Sequence, residues 1–186
     1  MKRVFDCISA LFALILLFMP MLLIAICIKL TSPGPVLYWS QRIGKDNHLF
    51  AMPKFRTMTI GTPIVATHLL DNPQNFVTNF GKVLRKTSLD ELPQLLCILV
   101  GDMSFVGPRP ALFNQDDLVR LRTEKGIHVI PPGLTGWAQI NGRDELPIPV
   151  KVAYDNYYLL NRTFLLDLQI IGRTLLKIIK SEDVHH

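Results

Sequence analysis

Cysteine is scarce in this chain, and none is placed for chemistry. Cys7, Cys27 and Cys97 are the only three, each inside an apolar run and none at metal-ligand spacing. That excludes a paired disulfide framework and a cysteine-bound zinc, and fits reduced, buried thiols on the cytosolic side. No low-complexity tract and no internal repeat is present, so neither a disordered arm nor a repeat array is expected. No basic helix or stripe of Arg and Lys interleaved with aromatics appears, so no nucleic-acid partner is expected. Charge is also missing from Cys7 to Ile28, where only Ser9 and Pro20 interrupt the apolar character.

What is present is apolar and basic. The 186 residues suit one domain with a sizeable core. Apolar residues make up 49%, mean hydropathy is positive, and the formal net charge is +5 with a pI near 9.2. With nucleic acid set aside, an anionic membrane surface and phosphorylated substrates remain as partners.

The uncharged stretch is a membrane segment. As a helix it is about 33 Å long, against about 30 Å of bilayer hydrocarbon. It is too long for a signal peptide, and no A-x-A-like site follows it. The usual reading is a span. Two features favour a segment that enters and leaves one leaflet. Pro20 removes a backbone hydrogen bond and clashes with the carbonyl of Leu16, so a kink is expected. Lys2 and Arg3 precede the segment and Lys29 follows it, and basic flanks favour the cytoplasmic side. Lys2 and Arg3 are expected to hold anionic headgroups.

Beyond it, "TSPGPVLYWSQRIG" reads as a turn into a strand or hairpin. Residues 49–58 read as extended, with Lys54 and Arg56 on one side. Residues 59–76 read as a mobile loop, and 76–88 as a short helix ending in Lys82, Arg85 and Lys86. "GDMSFVGPRPAL" is a tight Gly/Pro loop presenting Arg109. Residues 114–125 read as a polar surface helix. The tail from about Val150 to Lys180 is helical, with Phe164, Leu168, Ile171, Leu175 and Ile178 on one face. That face suits either a core or a membrane surface. Trp39 and Trp137 read as core or interface anchors, and His48, His68 and His128 as surface residues.

In "TSLDELPQLL", residues 87–96, Asp90 and Glu91 head an apolar run. Ser88-x-x-Glu91 matches a capping box. Pro93 argues against Ser88 as the cap, because proline is tolerated only in a first helical turn. The helix should start near Leu89 or Asp90, with both carboxylates at its mouth. Arg85 and Lys86 precede the pair, and Arg109 follows. Carboxylates to hold an ion, arginine to grip phosphate and flexible glycine backbone are the parts of magnesium-assisted phosphoryl transfer. A carboxylate at its ordinary pKa is ionised at neutral pH and needs no base to act as a nucleophile.

"RKTSLDELPQL", "GDMSFVGPRP" and "PGLTGWAQINGR", in that order after one hydrophobic segment, resemble the bacterial monotopic phosphoglycosyl transferases in their minimal form. The likeness extends from the basic N-terminus through "KFRTM" to "D-x-Y-Y" and "LLDLQII". It implies an α/β fold: a monotopic membrane protein with a re-entrant helix-break-helix over 1–30. Residues 31–186 would form a small irregular cytoplasmic catalytic domain with amphipathic interface helices. The implied place is the cytoplasmic face of a bacterial inner membrane. The implied reaction moves a sugar-1-phosphate from a UDP-sugar to undecaprenyl phosphate, releases UMP and requires Mg2+. It is the first membrane step of glycoconjugate or polysaccharide assembly.

By the same resemblance Asp90 is the nucleophile that forms a covalent phosphosugar intermediate. Glu91 holds magnesium or positions the lipid phosphate, and Asp90 and Glu91 are together the metal candidates. Arg109 and Arg85 bind phosphate. Gln139, Asn141 and Arg143 belong to the nucleotide-sugar pocket, and Asp155 is a further substrate-side candidate. The family often has Ser-Pro at the membrane break, whereas this chain has Met19-Pro20. A carbonyl freed by Pro20 then lacks the serine hydroxyl as partner. The sugar and the oligomeric state stay open.

Overall fold

A computed structural model of the chain describes residues 2–63, 73–142 and 146–180. It is a mixed α/β structure with one long apolar N-terminal helix. That helix, α1, spans Lys2–Thr31 and is about 45 Å long. It runs through Pro20, and the expected break does not interrupt its span.

One stripe of α1 packs on the rest of the molecule. Near its start, Ala10 joins Phe50, Met52, Leu95, Ile98 and Met103 in a core. Near its end, Ile24 and Ile28 join Phe55 and Leu84 in another. The opposite side leaves Ile8, Phe12, Ile15, Leu16 and Met19 exposed.

Polar contacts hold the first turns. Lys2 Nζ donates to Asp167 at 2.6 Å. Arg3 donates to the carbonyls of Ile98 and Leu99, the latter at 2.7 Å. Asp6 accepts from the Ser104 hydroxyl at 2.8 Å. Lys2 and Arg3, expected at headgroups, thus have partners within the protein.

The Pro33-Gly34-Pro35 turn leads into β1 (Leu37–Ile43), which forms an antiparallel hairpin with β2 (Leu49–Phe55), as expected. Arg56, just past β2, donates to the carbonyls of Ser32 and Pro33 at 2.8 and 2.7 Å. It thereby closes the end of α1, where cations are favoured. Half of the loop expected over 59–76, residues 64–72, lies outside the described residues.

Helix α2 (Asn79–Lys86) is capped by Thr78, whose hydroxyl accepts from the Gly81 amide at 2.9 Å. A 3-10 helix (Leu89–Gln94) follows, and α3 (Leu95–Val100) continues from it. Two short strands come next, β3 (Ser104–Val106) and β4 (Ala111–Leu112). β4 pairs with β1 and completes a three-stranded sheet. After α4 (Asp116–Glu124), β5 (Gly133–Thr135) lies parallel to β3 and leads into the short α5 (Trp137–Ile140).

The tail is two helices rather than one: α6 (Ile148–Asn161) and α7 (Phe164–Lys180). Thr163 starts the second, its hydroxyl accepting from the Leu166 amide at 3.1 Å. The apolar stripe of α7 is divided: Ile171 packs against the core that includes Ile170, and the rest of it lies nearer the surface. Phe164, Leu168 and Leu175 are exposed, whereas Ile170 and Asp167 are buried. Asp167 accepts from Tyr158 at 2.6 Å, and Thr174 bonds Thr135. These polar contacts fix which side of α7 turns inward.

Candidate active site

The acidic pair sits in the 3-10 helix between α2 and α3. Ser88 enters it in a left-handed conformation, φ 55°, and its side chain makes no cap bond. The capping-box reading is therefore not realised. Pro93 lies inside the 3-10 segment and the α-helix proper begins after it. A helix does start at Leu89 with both carboxylates in its first turn, as expected, but it is a 3-10 helix, because Pro93 has no N–H to contribute to a regular α ladder.

Asp90 is 7% exposed, and its Oδ1 has no hydrogen-bond partner among the described residues. Burial pushes its carboxyl up to about 6. Lys54 pulls it down, the Glu91 charge pushes it up, and Arg85 and Arg109 pull it down again. Asp90 is not a carboxylate at its ordinary pKa, as the sequence had suggested; it is poised near neutrality.

Glu91 is held by two cations. Its Oε1 accepts from Lys54 Nζ at 2.8 Å and lies 3.4 Å from Arg109 Nη2. Arg85 comes from the last turn of α2 and donates from Nε to the Thr57 hydroxyl at 2.9 Å. Its own pKa is lowered by burial and raised by the charge on Asp90. Lys54, Arg85 and Arg109 therefore surround two carboxylates. Such a centre can take the negative oxygens of a diphosphate while keeping one carboxylate oxygen uncommitted.

Arg109 lies in the loop between β3 and β4. Gly107 in that loop packs directly on the "PGLTGW" segment: its amide donates to Thr135 O, and the Gly133 amide donates to Pro108 O. A Cβ on Gly133 would fall 2.1 Å from the Gly107 nitrogen. Two of the sequence motifs are thus one backbone contact, which only glycine permits.

The other candidates lie farther out. Gln139 is buried in α5, and neither of its amide atoms has a partner among the described residues. A Cβ on Gly136 would come 2.5 Å from its Oε1 and 2.1 Å from the Gly107 carbonyl. The amide therefore lies behind the Arg109 loop. Asn141 is exposed and donates to Trp137 O at 2.7 Å. Arg143 falls outside the described residues. Asp155 is 1% exposed and paired with Arg122 at 2.6 Å. Trp137 stacks on Tyr157 with Arg173 over its ring. Cys97 is packing, its thiol pushed up to about 11 by burial and by Asp102.

Lys54 and Arg122 were not expected at the site. Lys54 carried a faint signal, since a period-two strand puts it on a definite face. Arg122 carried none, being one charge among several on a polar helix.

Magnesium fits the donor set. The described residues contain no cluster of three or more His, Cys, Asp or Glu. Mg2+ does not need one, as it is commonly bound through one or two carboxylates plus substrate phosphates. Asp90 Oδ1 is a buried oxygen of that kind, with Glu91 beside it.

The sequence matches the family model described as bacterial sugar transferase over residues 1–181. The chain belongs to that family. It is 40% identical over 186 residues to the uncharacterised sugar transferase EpsL of Bacillus subtilis, covering 99% of this chain and 90% of the relative. It is 37% identical to a UDP-N-acetylgalactosamine-undecaprenyl-phosphate N-acetylgalactosaminephosphotransferase of Aeromonas hydrophila, over 94% of this chain and 42% of the relative. It is also 37% identical to the UDP-glucose:undecaprenyl-phosphate glucose-1-phosphate transferase of Escherichia coli, over 95% and 40%. The transferase therefore spans less than half the length of the two relatives with named activities. The motifs and the family agree that it is an enzyme of the phosphoglycosyl transferase kind, and the family together with α1 marks it as membrane-associated.

Proposed function

We propose that the transferase moves a sugar-1-phosphate from a UDP-sugar to undecaprenyl phosphate and releases UMP, at the cytoplasmic face of a bacterial inner membrane. The reading rests above all on Asp90: a buried carboxylate with one unpartnered oxygen, surrounded by Lys54, Arg85 and Arg109.

In the first step an Asp90 oxygen bonds to the β-phosphorus of the donor. The bond from that phosphorus to the bridging oxygen breaks, and UMP leaves. Lys54, Arg85 and Arg109 bind the phosphate oxygens and offset the charge that develops. In the second step an oxygen of the lipid phosphate attacks the same phosphorus, and the Asp90 carboxylate is regenerated. Asp90 and Glu91 are the residues that would hold Mg2+, which would neutralise part of the phosphate charge. Gln139, Asn141 and Arg143 remain candidates for the donor side.

Trapping tests the covalent step. Full-length enzyme in nanodiscs, given donor labelled in the sugar and no acceptor, should retain label on protein and release up to one UMP per chain. Asp90→Asn should do neither. Normal turnover by Asp90→Asn would end the covalent reading. Chelation of divalent ions should abolish UMP release, and Mg2+ should restore it. The named donors of the two relatives differ in sugar, so a UDP-sugar panel is needed to find this chain's own.

The membrane arrangement belongs to the same proposal. A helix about 45 Å long that crossed a bilayer would meet a one-sided domain near one end only. α1 has partners near both ends, Asp6 and Ala10 at one and Ile24 and Ile28 at the other. This supports a segment that stays in one leaflet and lies along the catalytic unit as one helix through Pro20, with anionic lipid around it. The exposed part of the apolar stripe of α7 supports an interface helix.

A further inference from the structure

We propose that Arg122, held by Asp155, is a positioning residue for Arg109. This rests on the proposed role of Arg109 as a phosphate-gripping group.

Arg122 projects from α4 and is 8% exposed. Its Nε and Nη2 both donate to Asp155 Oδ2, at 3.0 and 2.6 Å. Its remaining terminal nitrogen, Nη1, donates to the backbone carbonyl of Arg109 at 2.8 Å. The two ends of Arg109 are therefore fixed separately. Arg122 holds its carbonyl from one side, and its guanidinium reaches Glu91 on the other. The next carbonyl, of Pro110, accepts from Arg42 at 3.1 Å. Pro108 and Pro110 limit the backbone on either side.

A buried ion pair is a weak device for stability, because desolvation offsets the attraction. This pair does something a packed apolar pair could not: it presents a fixed donor to one loop carbonyl. A guanidinium suits that task. Its planar fork can serve a carboxylate with two nitrogens and the carbonyl with a third, whereas an ammonium at the end of a flexible stem cannot hold that geometry. Asp155, which the motif had placed on the substrate side, acts here through Arg122 and then Arg109.

The test is a double-mutant cycle in full-length enzyme in nanodiscs, read as kcat/KM for UMP release. Arg122→Lys should lower it roughly 30-fold in the wild-type background. In an Arg109→Ala background the same change should lower it less than threefold, because the group being positioned is gone. A 30-fold loss in both backgrounds, or no loss in the wild type, would overturn the proposal. Hydrogen exchange of the peptide spanning 104–112 gives a readout independent of turnover. It should quicken in Arg122→Lys, and unchanged exchange would also overturn the proposal. Should wild-type enzyme release no UMP from any donor, the functional reading fails, and exchange alone decides the positioning. Asp155→Asn, which keeps the shape, replaces Arg122→Lys if that variant does not fold, with the same outcomes required.

Discussion

Asp90 sits where a carboxylate is poorly solvated, and three cations partly restore its charge. That balance sets a pH dependence. With its pKa near 6, the free-enzyme kcat/KM should fall about tenfold per pH unit below that value, as the nucleophile is protonated. Lys54 favours the ionised form, so Lys54→Met should move the midpoint upward. A midpoint that stays in place would remove Lys54 from the electrostatics of the site. The same shift has a stability side. A carboxyl whose folded pKa is raised contributes most stability below its unfolded pKa and loses it as pH rises through about 6. At pH 7.5 the ionised Asp90 is therefore a strain on the fold. Asp90→Asn should raise the thermal midpoint by several degrees while removing turnover, measurable on one sample by scanning fluorimetry and UMP release.

At the scale of elements, glycine decides how closely the motifs can approach. Gly133→Ala would drive a methyl into the Gly107 backbone. Overpacking of this kind costs about 1–3 kcal/mol. Since the displaced loop carries Arg109, UMP release should fall by about two orders of magnitude, far more than the loss of folded protein explains. An alanine variant with wild-type kinetics would show that the loop has slack. The hairpin, α2 and the acidic pair were legible in the sequence because their signals are local: turn residues, period two, and a motif. The tail was read less well. Hydrophobic periodicity continues across Thr163, so the break between α6 and α7 is hidden from it. Periodicity also reveals an apolar stripe without saying which way it faces. On α7 the bonds from Asp167 and Thr174 settle that, and they leave Phe164, Leu168 and Leu175 outward while Ile171 meets the core. Arg122 was unreadable for a similar reason, since its partner lies on α6, thirty-three residues on.

At the scale of the whole molecule, one helix belongs to two cores at once. Topology is testable there. Single cysteines placed at Met1 and at Lys45, in a background with the three native cysteines replaced, should both label from the cytoplasmic side. Labelling of the first from the periplasm would refute the one-leaflet arrangement.

The polar fixing of the first turns of α1 has a practical consequence. Asp6 holds Ser104 at the head of β3, and β3 runs straight into the loop that carries Arg109. Residues 2–31 are thus a wall of the catalytic unit rather than a tether attached to it. Cutting them off to make a water-soluble enzyme would strip a side from both cores that α1 completes and release the strand that aims the arginine. Detergents that loosen this helix should be inhibitors in their own right.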